Sequence, residues 1–361
     1  MSIHFHPVRV KEVRRETSAC VSVLLDIPAE LQAGFNYQQG QSLTIRTFIN
    51  GEEVRRTYSL CSSPLDHEWR VAIKKVDGGL FSSFANELLK PGDTLEVMQP
   101  VGRFYTELNA VHRKRYVAFA AGSGITPVLS LIKTTLATEP LSRFTLVYGN
   151  RSRQDIIFFE ELEALKNKYP DRFQLIHILS RETQDAPVLN GRINAEKLRD
   201  LDKLVDYILT DEFFICGPEA MIFEVKEFLE SRIADKRRIH FELFTTPGQS
   251  QSAVSGKSAA PSATPSGGCQ VRIRLDGRSI EFTMPASSED SVLDAALAAG
   301  ADLPYACKGG VCCTCKARLL EGEVKMDVHW GLEEEEIKQG FILTCQSHPL
   351  TSNVSVDFDV R

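Results

Sequence analysis

The sequence has no run of about 18 apolar residues, so no transmembrane helix and no membrane partner are expected. Its opening segment, Met1 to Pro7, lacks a basic stretch followed by an apolar one, so no signal peptide is expected either. Basic residues are not in excess: 42 Lys and Arg stand against 48 Asp and Glu, for a net charge of −6. A nucleic-acid footprint wants a basic face, so nucleic acid is not an expected partner. No internal repeat is visible. A disulfide framework is missing too. The nine cysteines are an odd number, and five of them, Cys307, Cys312, Cys313, Cys315 and Cys345, crowd toward one end. That distribution reads as metal chemistry in a reducing compartment, the cytoplasm in the simplest reading.

What is present divides the chain. At 361 residues it is too long for one typical domain. Residues 245–268 are small, polar and proline-rich and cannot build a core, so they read as a flexible linker. Residues 269–361 are then a separate module. Within residues 1–108, short alternating runs such as Gln41–Arg46 and Trp69–Lys74 are separated by turn signals at Asn50-Gly51, Asp77-Gly78-Gly79 and Pro91-Gly92. That pattern predicts an antiparallel β-barrel. Within residues 109–244, continuous apolar strands at 116–120, 144–148, 173–179 and 212–216 alternate with helical stretches at 128–137, 158–169, 195–201 and 219–231. Such alternation predicts a doubly wound parallel α/β sheet.

The crowded cysteines carry the most information. Cys307, Cys312 and Cys315 are spaced C-x4-C-x2-C, with Cys345 far downstream, the plant-type [2Fe–2S] pattern. Gly309 and Gly310 let the loop curl and free N–H groups to face sulfur. Cys313 does not fit the spacing and reads as a non-ligand. A structural zinc site is the alternative, but zinc sites more often use two C-x2-C pairs.

Three further motifs suit nucleotides. Gly122-Ser123-Gly124-Ile125-Thr126-Pro127 joins a strand to a helix, where backbone N–H groups can approach a pyrophosphate. A tight turn without a ligand would look similar. Arg151 and Arg153 after the second parallel strand, and Ser180-Arg181 after the third, tilt the expectation toward a 2′-phosphate and hence toward NADPH over NADH. Exposed arginines without a role are the alternative. Cys216-Gly217-Pro218 ends the last of these strands at the ligand-binding edge. In the first domain, Arg56-Thr57-Tyr58-Ser59 offers a guanidinium for a phosphate, a ring to stack and a hydroxyl to hydrogen-bond.

Taken in order, these pieces resemble the ferredoxin–NADP⁺ reductase superfamily, followed by a plant-type ferredoxin domain of the α+β, β-grasp kind. Arg56, Tyr58 and Ser59 match the family's R-x-Y-S flavin motif, and Gly78-Gly79-Leu80-Phe81-Ser82 matches its second flavin segment. The resemblance implies FAD, with Arg56 and the Gly79–Ser82 segment on the pyrophosphate, Tyr58 stacked on the ring and Ser59 near the flavin N5. It implies nicotinamide contacts from Gly122, Gly124, Thr126, Pro127, Cys216, Gly217 and Pro218, with Ser59 and Cys216 closest to the chemistry. His240–Phe244 resembles the closing strand, placing Phe244 near the flavin ring. The domain order is similar to that of reductase components of multicomponent oxygenases. The cysteine loop, Glu321–Asp327 and Leu343–Pro349 look like the epoxidase reductases of bacterial phenylacetate degradation. Such a protein is an enzyme, passing electrons from NADPH through FAD and the cluster to an oxygenase, expected to be a diiron protein. Reductases of steroid or aromatic-ring hydroxylases share the order. A non-enzymatic redox sensor is the alternative of another class. Glu333–Glu336 reads as a solvated helix face before a docking patch.

Overall fold

The computed structural model describes residues 4–244, 268–285 and 288–360. His4–Phe244 form one compact unit, and the chain from Thr245 to Arg361 belongs to a second. The segment expected to be a linker, 245–268, lies outside the described residues apart from Gly268.

Six antiparallel strands begin the first unit: β1 (His6–Thr17), β2 (Cys20–Asp26), β3 (Ser42–Ile49), β4 (Glu52–Ser59), β5 (Trp69–Lys74) and β6 (Thr94–Val97), in the order β4-β3-β6-β1-β2-β5. A bridge between Leu60 and Val71 joins the two edges, so the sheet closes into the expected barrel. Asn50 and Gly51 both take positive φ between β3 and β4, the conformation a two-residue hairpin demands and the reason these residue types stand there. Leu43, Ile45, Val71, Ile73, Leu95 and Val97 fill the interior. Helix α1 (Leu80–Glu87) adds Phe81 and Ala85 to it.

The parallel sheet follows: β7 (Arg115–Ala121), β8 (Arg143–Asn150), β9 (Phe173–Leu179), β10 (Glu212–Gly217) and β11 (Ile239–Leu243), in the order β11-β10-β7-β8-β9. Helices α2 (Ile125–Thr138), α3 (Phe159–Lys168), α4 (Ala195–Asp200) and α5 (Glu219–Glu230) connect them. Tyr116 to Ala120 are all buried, as strands covered on both faces must be. The chain winds outward through β8 and β9, then returns to the other side of β7. The switch point therefore lies between the ends of β7 and β10, where ligands bind in such sheets.

Barrel and parallel sheet share packing. Cys20, Cys61 and Ala72 of the barrel belong to the same apolar cluster as Val128, Ile132 and Tyr148. Polar contacts add to it: Ser130 Oγ donates to the Ser62 carbonyl at 2.6 Å, and Lys133 pairs with Asp66 at 2.7 Å. The connector around Asn109 is tied down by Glu139, whose buried carboxylate accepts from the Asn109 N–H, Tyr116 and Ser142 and meets His112. Burial would raise its carboxyl, but these hydrogen bonds prevail and hold it below the usual range.

In the second unit, β12 (Cys269–Leu275), β13 (Arg278–Met284), β14 (Lys316–Glu321), β16 (Phe341–Leu343) and β18 (Asn353–Asp357) form a mixed sheet, while β15 (Val324–Met326) pairs with β17 (Ser347–Pro349). Helix α6 (Val292–Ala298) packs Val292, Leu293 and Ala296 on the sheet core. Helix α7 (Glu334–Lys338) carries the acidic run, in which Glu336 pairs with Lys316 at 3.0 Å while the Glu334 side chain is 88% exposed. The barrel, the parallel sheet and the mixed sheet make the expected multidomain architecture.

Candidate active site

The glycine turn occupies the switch point. Gly122–Gly124 form a single 3-10 turn running directly into α2, and no side chain caps either start. Helix N–H groups left uncapped at a sheet edge are suited to a pyrophosphate. Gly122 has φ +54°, and a Cβ there would stand 3.3 Å from the Lys74 ammonium. A Cβ on Gly124 would stand 2.0 Å from the Cys216 carbonyl oxygen, so only glycine lets α2 lie this close to β10. Thr126 is buried and donates to the Ser123 carbonyl at 3.0 Å, and Pro127 is buried within the first turn of α2. Gly217 is half-buried and Pro218 exposed, both facing this turn's end of the sheet.

At the end of β4, Ser59 is buried and Tyr58 half-buried, its ring 5.5 Å from that of Phe81. Arg56 is half-buried and donates to the Arg55 carbonyl at 2.7 Å. No side chain caps α1, whose N-cap is Gly79, so its first N–H groups are available to an anion. Leu80 is exposed beside them. The Ser82 hydroxyl is turned into its own loop, accepting from the Val76 N–H at 3.1 Å and donating to the Gly79 carbonyl at 3.2 Å. Phe244 is 43% exposed at the end of β11.

The end of β4 reaches the parallel sheet through Ser59. Ser59 Oγ donates to Glu242 Oε2 at 2.9 Å. Glu242 is the sheet neighbour of Cys216, which in turn pairs with Ala120. Ser59, Glu242 and Cys216 thus stand in a row from the end of β4 into the parallel sheet. Burial pushes the Glu242 carboxyl up to about 7 against the pull of the Ser59 hydrogen bond. Cys216 is fully buried, and burial drives its thiol well above the ordinary range, so it stays neutral. Any part it takes is contact, not acid–base chemistry.

Arg151, Ser180 and Arg181 come together on the rim. The Arg181 N–H donates to the Arg151 carbonyl at 2.8 Å and that of Ser180 to the Asn150 carbonyl at 3.0 Å. All three side chains are exposed. A carboxylate shares the rim: Glu182 Oε2 accepts from the Arg153 N–H at 2.8 Å.

Lys74 and Glu242 were not singled out by sequence reasoning. The available signal was weak, since each is one of two charged or polar residues in its strand, Arg70 and Lys74 in Trp69–Lys74 and His240 and Glu242 in Ile239–Leu243.

The cysteines sort into two pairs. Cys307 and Cys312 are in hydrogen-bond contact and half-buried; Cys315 and Cys345 are in contact and buried. Among the described residues, no three His, Cys, Asp or Glu side chains gather around a point that could hold a single ion. Two thiol pairs fit two irons better than one zinc. A hydrogen bond from Cys312, working against burial, and the N–H groups of Cys312, Gly309 and Val311 pull the Cys307 thiol down to about 5. The Gly309 N–H lies 3.3 Å from its sulfur. Gly310 has φ +74° with Val328 packed against it, so the curl expected of the loop is present. Cys313 turns away from the pairs, donating to the Gly331 carbonyl at 2.7 Å.

Known proteins agree with this layout. Residues 8–105 match the oxidoreductase FAD-binding domain family, 119–227 the oxidoreductase NAD-binding domain family, and 273–350 the 2Fe-2S iron-sulfur cluster binding domain family. The chain is 46% identical to a 1,2-phenylacetyl-CoA epoxidase subunit of Escherichia coli K12, over 99% of this chain and 98% of that protein. It is 34% identical to the ferredoxin reductase component of 3-ketosteroid-9-alpha-monooxygenase of Rhodococcus rhodochrous, over 97% and 95%. The solved structure of phthalate dioxygenase reductase shares the fold, with a TM-score of 0.55 at 22% identity over 98% of both chains. A redox sensor without turnover is set aside by these relatives. The chain belongs to the NAD(P)H-dependent FAD and 2Fe-2S reductase components of multicomponent oxygenases, the family that includes this phenylacetyl-CoA epoxidase subunit.

Proposed function

We propose that this reductase draws electrons from NADPH and delivers them to the oxygenase component of a phenylacetyl-CoA epoxidase, a diiron protein, in the cytoplasm. A bound flavin would supply the conversion between two-electron hydride transfer from the nicotinamide and the single electrons that a [2Fe–2S] cluster can carry. The observation that carries the reading is the Ser59–Glu242 contact beside Cys216, which brings the end of the flavin strand to the nicotinamide edge of the sheet. There Ser59 would orient the reacting edge of the flavin ring, with Glu242 holding the serine hydroxyl in place. Tyr58 and Phe244 would bracket the ring. Arg56 and the uncapped start of α1 would neutralise the flavin pyrophosphate. Lys74 and the Gly122–Pro127 turn would do the same for the nicotinamide nucleotide. Arg151 and Arg181 would take the 2′-phosphate, with Glu182 as a rim group that favours a free ribose hydroxyl instead. Cys307, Cys312, Cys315 and Cys345 would ligate the cluster, the Cys307–Cys312 side lying nearer solvent.

Full-length similarity to the epoxidase protein supports the partner. The test is reconstitution: this chain as sole reductase, NADPH or NADH as donor, and phenylacetyl-CoA with the epoxidase oxygenase component. Epoxide formation at a higher kcat/KM with NADPH is expected. Turnover only with a steroid or aromatic-ring hydroxylase would replace the partner, and a higher kcat/KM with NADH would replace the donor.

A further inference from the structure

Tyr148 is fully buried in β8, and its hydroxyl donates to the Gly122 carbonyl at 2.9 Å. A buried tyrosine needs partners for its hydroxyl; here it meets the Asn150 side chain and the Ile157 backbone, and the group it donates to is the first residue of the glycine turn. The same carbonyl also accepts from the N–H of Ile125 at the start of α2. A peptide unit is planar and trans, so its C=O and N–H point in opposite directions. Drawing the Gly122 carbonyl inward therefore turns the Ser123 N–H away from the core, at a residue that is only half-buried.

The hydroxyl is held in place. Its ring lies 6.0 Å from that of His177, which in turn has Phe159 at 6.0 Å on α3. The turn is fixed at its other end as well, by the backbone-to-backbone approach of Gly124 to Cys216. Gly122, at φ +54°, is the one residue of the turn in a left-handed conformation and so the one whose peptide plane can most easily flip.

We propose that Tyr148 is a positioning residue for the dinucleotide pyrophosphate. Its hydroxyl sets the plane of the Gly122–Ser123 peptide and so aims the Ser123 N–H at the anion. This rests on reading the Gly122–Pro127 turn as the pyrophosphate cradle. Because NADH and NADPH carry the same pyrophosphate, Tyr148 serves both equally, unlike a residue that contacts the 2′-phosphate.

Tyr148→Phe keeps the ring and removes one hydroxyl. In the complete flavin- and cluster-loaded protein with ferricyanide as acceptor, KM should rise by the same factor for NADH and NADPH, about three- to tenfold. The kcat and the flavin content should not change. A Gly122→Val companion places a side chain directly on the turn. If that variant raises KM and Tyr148→Phe does not, the role of Tyr148 is refuted while the cradle stands. If neither raises KM in proteins that retain flavin, the cradle reading falls and the proposal with it. Loss of flavin or of kcat in Tyr148→Phe would make the tyrosine general support for the fold and overturn the proposal.

Discussion

Glu242 is a carboxyl whose surroundings work against its charge. Its pKa is raised to about 7, so between the ordinary carboxyl value and about 7 the folded protein holds a proton that the unfolded chain has released. Stability from this group is therefore lost as pH rises through that window. Glu242→Gln cannot ionise, so its melting temperature relative to the unaltered protein should climb from pH 5 to pH 7 and then level off. A constant difference across that range would contradict the assignment. In the proposed flavin site Arg56 makes the opposite kind of contribution, a permanent charge for a phosphate. Arg56→Ala should weaken flavin affinity by about 10- to 100-fold, the worth of a charge-assisted hydrogen bond. Full flavin content in the dialysed variant would count against it. The two residues also differ in legibility. Arg56 sits two positions from Tyr58, within a motif that sequence alone displays. The partner of Glu242 is Ser59, 183 residues away, and only the closure of barrel against sheet brings them together.

Among the elements, α2 is the most demanding. Its start at Ile125 precedes the position 128 suggested by apolar periodicity, because a run of glycine, threonine and proline reads as a loop. Pro127 tolerates a first-turn position, and Gly122–Gly124 are already in a 3-10 turn, so the helix gains three residues at that end. The strands were easier to read: continuous apolar runs in the parallel sheet and turn residues such as Asn50-Gly51 in the barrel leave few alternatives. The closeness of α2 to β10 was not readable, since it depends on what Gly124 faces. Gly124→Ala inserts a methyl group 2.0 Å from a carbonyl oxygen, which cannot move without disturbing β10. Overpacking of this kind costs about 1–3 kcal/mol. Denaturant titration should show that loss together with a raised KM for the nicotinamide nucleotide, and an unaltered variant on both counts would refute the packing argument.

For the whole molecule, the order of modules was plain from sequence because each carries its own short-range signature: R-x-Y-S, a glycine turn after an apolar strand, and four spaced cysteines. The pairing of those cysteines was less plain. Spacing alone left zinc open, whereas folding places Cys307 with Cys312 and Cys315 with Cys345, an arrangement suited to two irons. The central claim is that electrons enter at the flavin unit and leave only through that cluster. Rapid anaerobic mixing of NADPH with Cys312→Ser tests it most directly. The flavin absorbance should bleach at the rate of the unaltered protein, ferricyanide reduction should persist, and oxygenase turnover should be abolished. Oxygenase turnover at an undiminished rate in a protein shown to lack the cluster would contradict it.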